Sequence, residues 1–204
     1  MVFLFNYFVM KLFFLIASLL VSISANTKSY RELSFEELSA SAKNDDVVAM
    51  GFLAENYENG RGVEANLDKA FTWYKKAAEQ NYAPAQYNLA VMLGRELSLQ
   101  QDLPQSFFWA EKAAEQNNIA AQFLVASYYA QGKGVYENKH KAHTWYLRAA
   151  KQDHSNAQYN LALMLLQGDG IDKDYNQGMD WLKKAAEQNH AQAISVLSLI
   201  KNQE

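Results

Sequence analysis

One period governs this chain. Trp73, Trp109, Trp145 and Trp181 each open the phrase Trp-x-x-x-Ala-Ala-x-Gln, and each lies 36 residues after the one before. A fixed period of this size marks a stacked array, in which every unit buries its apolar face against its neighbours. Other columns keep the same step: Ala49, Ala85, Ala121 and Ala157; Leu53, Leu89, Val125 and Leu161; Ala54, Ala90, Ala126 and Ala162; Tyr57, Leu93, Tyr129 and Leu165. Their mutual offsets of four, one and three residues describe one apolar face of a helix. This helix A is expected over about 48–59 in the first copy.

Seven residues before each Trp stand Asn66, Asp102, Asn138 and Asp174. Their short polar side chains can accept from a free N–H at a helix start. A second helix, helix B, is therefore expected to begin there and to run to about Gln80. Its inward face should be Ala70, Trp73, Tyr74, Ala77 and Ala78. The paired alanines permit close approach of the next helix, and Trp73 is expected to be buried between copies.

Gly60 and Gly62 recur as Gly132/Gly134 and Gly168/Gly170. A dinucleotide loop would follow a strand and carry a third glycine. No strand precedes these pairs, and the third position is Ala65, Glu137 or Lys173. Glycine ends helices because it takes the left-handed conformation without a side-chain clash. The pairs are read as punctuation between helix A and helix B. The second copy departs, with Glu96 and Ser98 where both glycines belong.

Composition narrows the function classes. The 204 residues are half apolar, hold two prolines and no cysteine, and carry a net charge of −3. The absence of cysteine removes disulfides and thiolate-ligated metal. No basic stripe is present, which argues against a nucleic-acid partner. Residues 1–25 combine Lys11, an apolar run from Leu12 to Leu20 and small residues ending at Ala25. That is the pattern of a signal peptide, with Met10 as an alternative start. Cleavage would release an exported protein, periplasmic or secreted. The alternative is an uncleaved membrane anchor, since a bilayer span needs about 20 apolar residues.

The phrase Ala-x-x-x-Leu-Ala-x-x-Tyr, then Gly-x-Gly-Val, then Ala-x-x-Trp-Tyr-x-x-Ala-Ala resembles the Sel-one-like repeat family. This family is a branch of the tetratricopeptide-like α/α repeats. Copies one and three carry it nearly whole, with Tyr57, Gly60, Gly62, Val63, Ala70 and Trp73, and again with Tyr129, Gly132, Gly134, Val135, Ala142 and Trp145. The resemblance implies an all-α, right-handed α/α solenoid of four 36-residue helix-turn-helix repeats with half-repeat caps. The expected layout is a signal peptide at 1–25 and a linker with a capping helix at 26–47. Repeats follow at 48–83, 84–119, 120–155 and 156–191, and a capping helix at 192–204. Ser34 and Glu37 have capping-box spacing for the first cap.

The resemblance further implies a non-catalytic scaffold of the bacterial cell envelope that holds a protein or peptide partner. Binding or hydrolysis of cell-wall fragments or β-lactams is the alternative it leaves open. In related solenoids helix A lines the concave surface. Its non-core positions here are Glu55, Tyr87, Asn88, Val91, Phe123, Ser127, Tyr159, Asn160 and Leu163. They form a candidate groove for an extended peptide or a partner helix. The competing reading is that they pack against neighbouring helices, and that Asn88 and Asn160 spend their amides on inter-repeat bonds.

No cofactor or metal site is expected. His140 and His143 share a helix face, but no third ligand is evident, and they are read as solvated. His154 and His190 read as loop residues. The acids of "GDGIDKD" (168–174) lack calcium-loop spacing. Neither Gly-x-Ser-x-Gly nor His-Glu-x-x-His occurs.

Overall fold

The computed structural model describes residues 29–95 and 101–201. The signal segment and the Glu96 and Ser98 positions lie outside the described residues. Ten helices are found among those described: α1 (Phe35–Lys43), α2 (Val47–Asn59), α3 (Leu67–Glu79), α4 (Ala83–Gly94), α5 (Leu103–Glu115), α6 (Ile119–Gln131), α7 (Lys139–Ala150), α8 (Ser155–Gln167), α9 (Tyr175–Glu187) and α10 (Ala191–Lys201). The substantial contacts all join helices adjacent in sequence. The fold is an all-α solenoid, with α2, α4, α6 and α8 as helix A and α3, α5, α7 and α9 as helix B.

Local chemistry sets the boundaries. Asn66, Asp102, Asn138 and Asp174 each accept the backbone N–H three residues on, at 2.9–3.0 Å. They thereby satisfy one of the orphan donors of each helix B. Ser34 and Glu37 form a reciprocal capping box at the start of α1. Gly60, Gly132 and Gly168 close α2, α6 and α8 in the left-handed conformation. In the second copy Arg95 ends α4 in an extended conformation instead. The loop nevertheless rejoins in the same way in all four copies. The N–H of Asn66, Asp102, Asn138 or Asp174 donates to Tyr57, Leu93, Tyr129 or Leu165 carbonyl at 2.8–3.0 Å.

The corners from helix B to the next helix A follow a second rule. Asp45, Asn81, Asn117, Asp153 and Asn189 all have φ of 60–65°. Asn and Asp tolerate this conformation better than other residues with a side chain. They recur with the 36-residue step, so the tight corner is repeated chemistry rather than isolated strain.

Packing corrects one expectation. The alanine columns and Leu53, Leu89, Val125 and Leu161 are fully buried, but the four tryptophans are only half-buried. Three of them carry a cation on the outer face: Lys76 over Trp73 at 4.6 Å, Arg148 over Trp145 at 4.4 Å and Lys184 over Trp181 at 4.3 Å. The buried helix B aromatic is the next residue, Tyr74 or Tyr146. Side chains at i and i+3 share one helix side, so each cation lies over the ring of its own helix.

Candidate functional site

The exposed side of the helix A row begins at its N-caps. Asp46, Tyr82, Asn118, His154 and His190 occupy one column and start α2, α4, α6, α8 and precede α10. His154 and His190 lie in the inter-repeat loops, as expected, at the last position before the helix, and each caps that helix. Each Nδ1 accepts a backbone N–H, from Ala157 at 3.2 Å and from Ala193 at 3.3 Å. That role requires the neutral imidazole with its proton on Nε2. Partial burial, in turn, holds the His154 pKa below its ordinary value.

Each N-cap ring lies over the residue 31 positions earlier in the preceding helix A. His154 stacks on Phe123 and His190 on Tyr159, both with centroids 4.7 Å apart. At the first junction the column holds Gly51, and Tyr82 takes the space. A β-carbon on Gly51 would stand 2.6 Å from the Tyr82 ring. Helix A thus presents a row of braced aromatic rings, two of them joined to a helix start.

The candidate groove residues Glu55, Tyr87, Asn88, Val91, Phe123, Ser127, Tyr159, Asn160 and Leu163 are all half-buried. They lie along this row, and several are already engaged. Asn160 donates to the Tyr146 hydroxyl at 3.2 Å, and the Ser127 hydroxyl meets the same oxygen at 3.1 Å. Asn88 bonds Tyr74 in the corresponding place. Burial raises the pKa of both phenols, so they remain protonated. Leu124 stands in the Asn column and Ala110 in the Tyr column at the junction between, so these polar contacts alternate with an apolar one. Glu55 pairs with Arg61 at 2.9 Å. The asparagines therefore brace one repeat against the next while one face of the row stays open.

Sequence reasoning missed a second set of residues. Gln86, Gln122 and Gln158 are the buried polar residues of helix A, each at most 2 % exposed. Each donates its amide to the last turn of the preceding helix B, at Ala78, Ala114 or Ala150 carbonyl. Each accepts from the glutamine that ends its own helix B: Gln116, Gln152 or Gln188, at 2.7–2.8 Å. The signal was present as the repeated Ala-Gln of "APAQY", "AAQF" and "NAQY".

Other candidates carry less. His140 is exposed, whereas His143 is half-buried, its pKa lowered by burial and then by His140. Asp169 of "GDGIDKD" pairs with Lys139 at 3.1 Å. Among the described residues no cluster of three His, Cys, Asp or Glu could hold a metal. No described helix is long and apolar enough to cross a membrane. Ser-x-x-Lys spacing, which serine acylating enzymes use, does occur once, at Ser198 and Lys201. Both are exposed, and the Ser198 hydroxyl donates to its own helix at Ile194 carbonyl, 2.9 Å away.

The comparisons agree with this architecture. The family model described as Sel1 repeat matches residues 47–82, 83–118, 119–154 and 155–190. A sel1-like repeat-containing protein of Acanthamoeba polyphaga mimivirus is 39% identical over 66 residues, covering 32% of this chain and 12% of that protein. The fold is similar to that of a protective antigen of uropathogenic Escherichia coli strains displaying an SLR fold. There the TM-score is 0.79 and the identity 30%, over 83% of this chain and 36% of the other. It is also similar to a Sel1 repeat protein from Oxalobacter formigenes. In that case the TM-score is 0.75 and the identity 27%, over 81% of this chain and 68% of the other. The chain thus spans only about an eighth of the viral relative and about a third of the E. coli antigen.

Proposed function

Because this chain belongs to the Sel1 repeat family, we propose that it is a non-catalytic scaffold. It holds a protein partner, as an extended peptide or an amphipathic helix, on its helix A face. Sel1 repeat proteins are in general protein-interaction scaffolds. The observation that carries the assignment to this face is the row of half-exposed rings at Tyr87, Phe123 and Tyr159. Two of them are locked by the imidazoles of His154 and His190. Rigid aromatic surface buries large area on binding at low entropic cost. Export through residues 1–25 would deliver this scaffold to the cell envelope.

The test is site-specific photo-crosslinking. A crosslinking residue at Tyr87 or Tyr159 is compared with one at Lys76 or Lys184 on helix B. Capture of the same partner from the helix A sites alone supports the assignment. Equal capture from both faces, or none from either, removes the helix A groove and brings cell-wall fragments and β-lactams forward as ligands.

A further inference from the structure

The first-repeat end of the helix A face is already occupied. The residues before α1 cross it as a short strap, turned on itself by the Glu32 N–H donating to Ser29 carbonyl at 2.8 Å. The Tyr30 ring lies parallel to Phe52 of α2, with centroids 5.8 Å apart and planes 3° apart. Its hydroxyl donates to Asp46, the N-cap of α2, at 2.8 Å. Further along the face, the rings over α6 and α8 come from the next N-caps, His154 and His190. Over α2, Tyr82 covers Gly51, and a second ring comes from the chain's own N-terminal segment.

Open space flanks the strap on both sides. A cavity of about 210 Å³ lies toward the second repeat, lined by Arg31, Phe52, Glu55, Tyr74, Tyr82 and Asn88. A cavity of about 660 Å³ lies on the other side, and Arg31, Phe52 and Glu55 line it too. Ser29, Arg31 and Glu32 are exposed, so the strap is held by the ring and hydroxyl of Tyr30 and by half-buried Leu33 against the first core cluster. A segment with so few buried contacts sits at the low-stability end of a fold.

We propose that residues 29–33 are a displaceable intramolecular occupant of the groove, and that the groove takes polypeptide segments of the same chemistry. Such a segment presents a tyrosine ring to Phe52, its hydroxyl to Asp46 and a neighbouring cation toward Glu55. Tethering gives the strap an effective concentration in the millimolar range, so even a weak contact is populated and competes with a partner. A partner must then displace Tyr30, which lowers its apparent affinity. This inference rests on the helix A face being the binding face.

The test adds the peptide of residues 26–33, Asn-Thr-Lys-Ser-Tyr-Arg-Glu-Leu, to the full chain and to its Tyr30→Ala variant. Amide shifts of Gly51, Phe52 and Asp46 are the readout, and unchanged shifts in repeats three and four establish that the variant folds. The peptide is expected to bind Tyr30→Ala with a Kd of about 0.1 mM, a tenth of the strap's millimolar effective concentration, and the unaltered chain about tenfold more weakly, because the tethered strap competes. The same peptide with Tyr replaced by Ala should move none of these amides. Absence of shifts in Tyr30→Ala up to about 5 mM peptide, or equal affinity for both chains, overturns the proposal. Photo-crosslinking at Tyr87 and Tyr159 decides the groove itself independently. A partner caught there together with a silent peptide leaves the groove standing and removes only the strap.

Discussion

The Gln116 amide donates to the Oε1 of Gln86 at 2.7 Å, across 30 residues of chain. Gln86 in turn donates to Ala78 carbonyl at 3.2 Å, so one buried side chain joins three successive helices. The relationship repeats at Gln122 and Gln158. In the first copy the column holds Met50, and Gln80 approaches its sulfur at 3.7 Å. Truncating Gln158 to Ala removes the acceptor of the Gln188 amide and leaves the Ala150 carbonyl with the Asp153 N–H alone. The expected loss is about 1–3 kcal/mol. Gln158→Met, which copies the first repeat, should lose less. Urea unfolding followed by circular dichroism measures both, and equal losses would contradict a hydrogen-bonding role.

Trp145 and Tyr146 are neighbours with different environments. Tyr146 is 4% exposed, whereas Trp145 is half-buried beneath Arg148. Tyr146→Ala should cost about 3–5 kcal/mol, the range for deleting a buried aromatic. Trp145→Ala should cost about half of that, because part of its surface is never removed from water. Thermal unfolding of the two variants checks the order. A larger loss at Trp145 would return the tryptophan to the core.

Gly60 and Gly134 share a positive φ but not a neighbourhood. A β-carbon on Gly60 meets only ordinary contacts, the nearest at 3.5 Å. Gly60→Ala should therefore lose about 1–2 kcal/mol from backbone strain alone. At Gly134 the added carbon would collide with the backbone carbonyl of Leu103, at the start of α5. Gly134→Ala should lose about 2 kcal/mol more, because two backbones would have to part. Similar unfolding midpoints for the two would show that the loop can shift without cost.

His154 gives the solenoid a pH dependence of defined sign. Its folded pKa lies below the ordinary value because burial disfavours the charged ring. The unfolded chain therefore binds more protons between the two values, and stability rises with pH across that window. The contribution is complete above about pH 6.5 and is lost as pH falls through the lowered folded value. Protonation of Nδ1 also ends its acceptance from Ala157, a cap interaction of about 0.5–2 kcal/mol. His154→Asn, the residue found at Asn118, should flatten the pH profile while keeping the cap. His143 is lowered in the same direction, so some slope should remain. An unchanged profile would refute the assignment.

The repeat period, the approximate helix boundaries and the helix B caps were legible in the residues, whereas the capping roles of His154 and His190 were not. A 36-residue step and four Asn or Asp caps are local signals, and a helix start is decided by the few residues that can satisfy its free N–H groups. The sequence by itself therefore determined a four-repeat helical array. Three features belong to the tertiary structure alone. Trp145 and Tyr146 are adjacent and both aromatic, and only the position of the next repeat decides which one is covered. Gln86 looks like a surface residue until α3, α4 and α5 close around it and exposed Gln116 donates to it. Tyr30 stands outside every repeat, and only the folded chain lays it on Phe52. Each depends on contact between segments that no local pattern relates, because burial is set by the neighbouring helix and not by the residue that becomes buried.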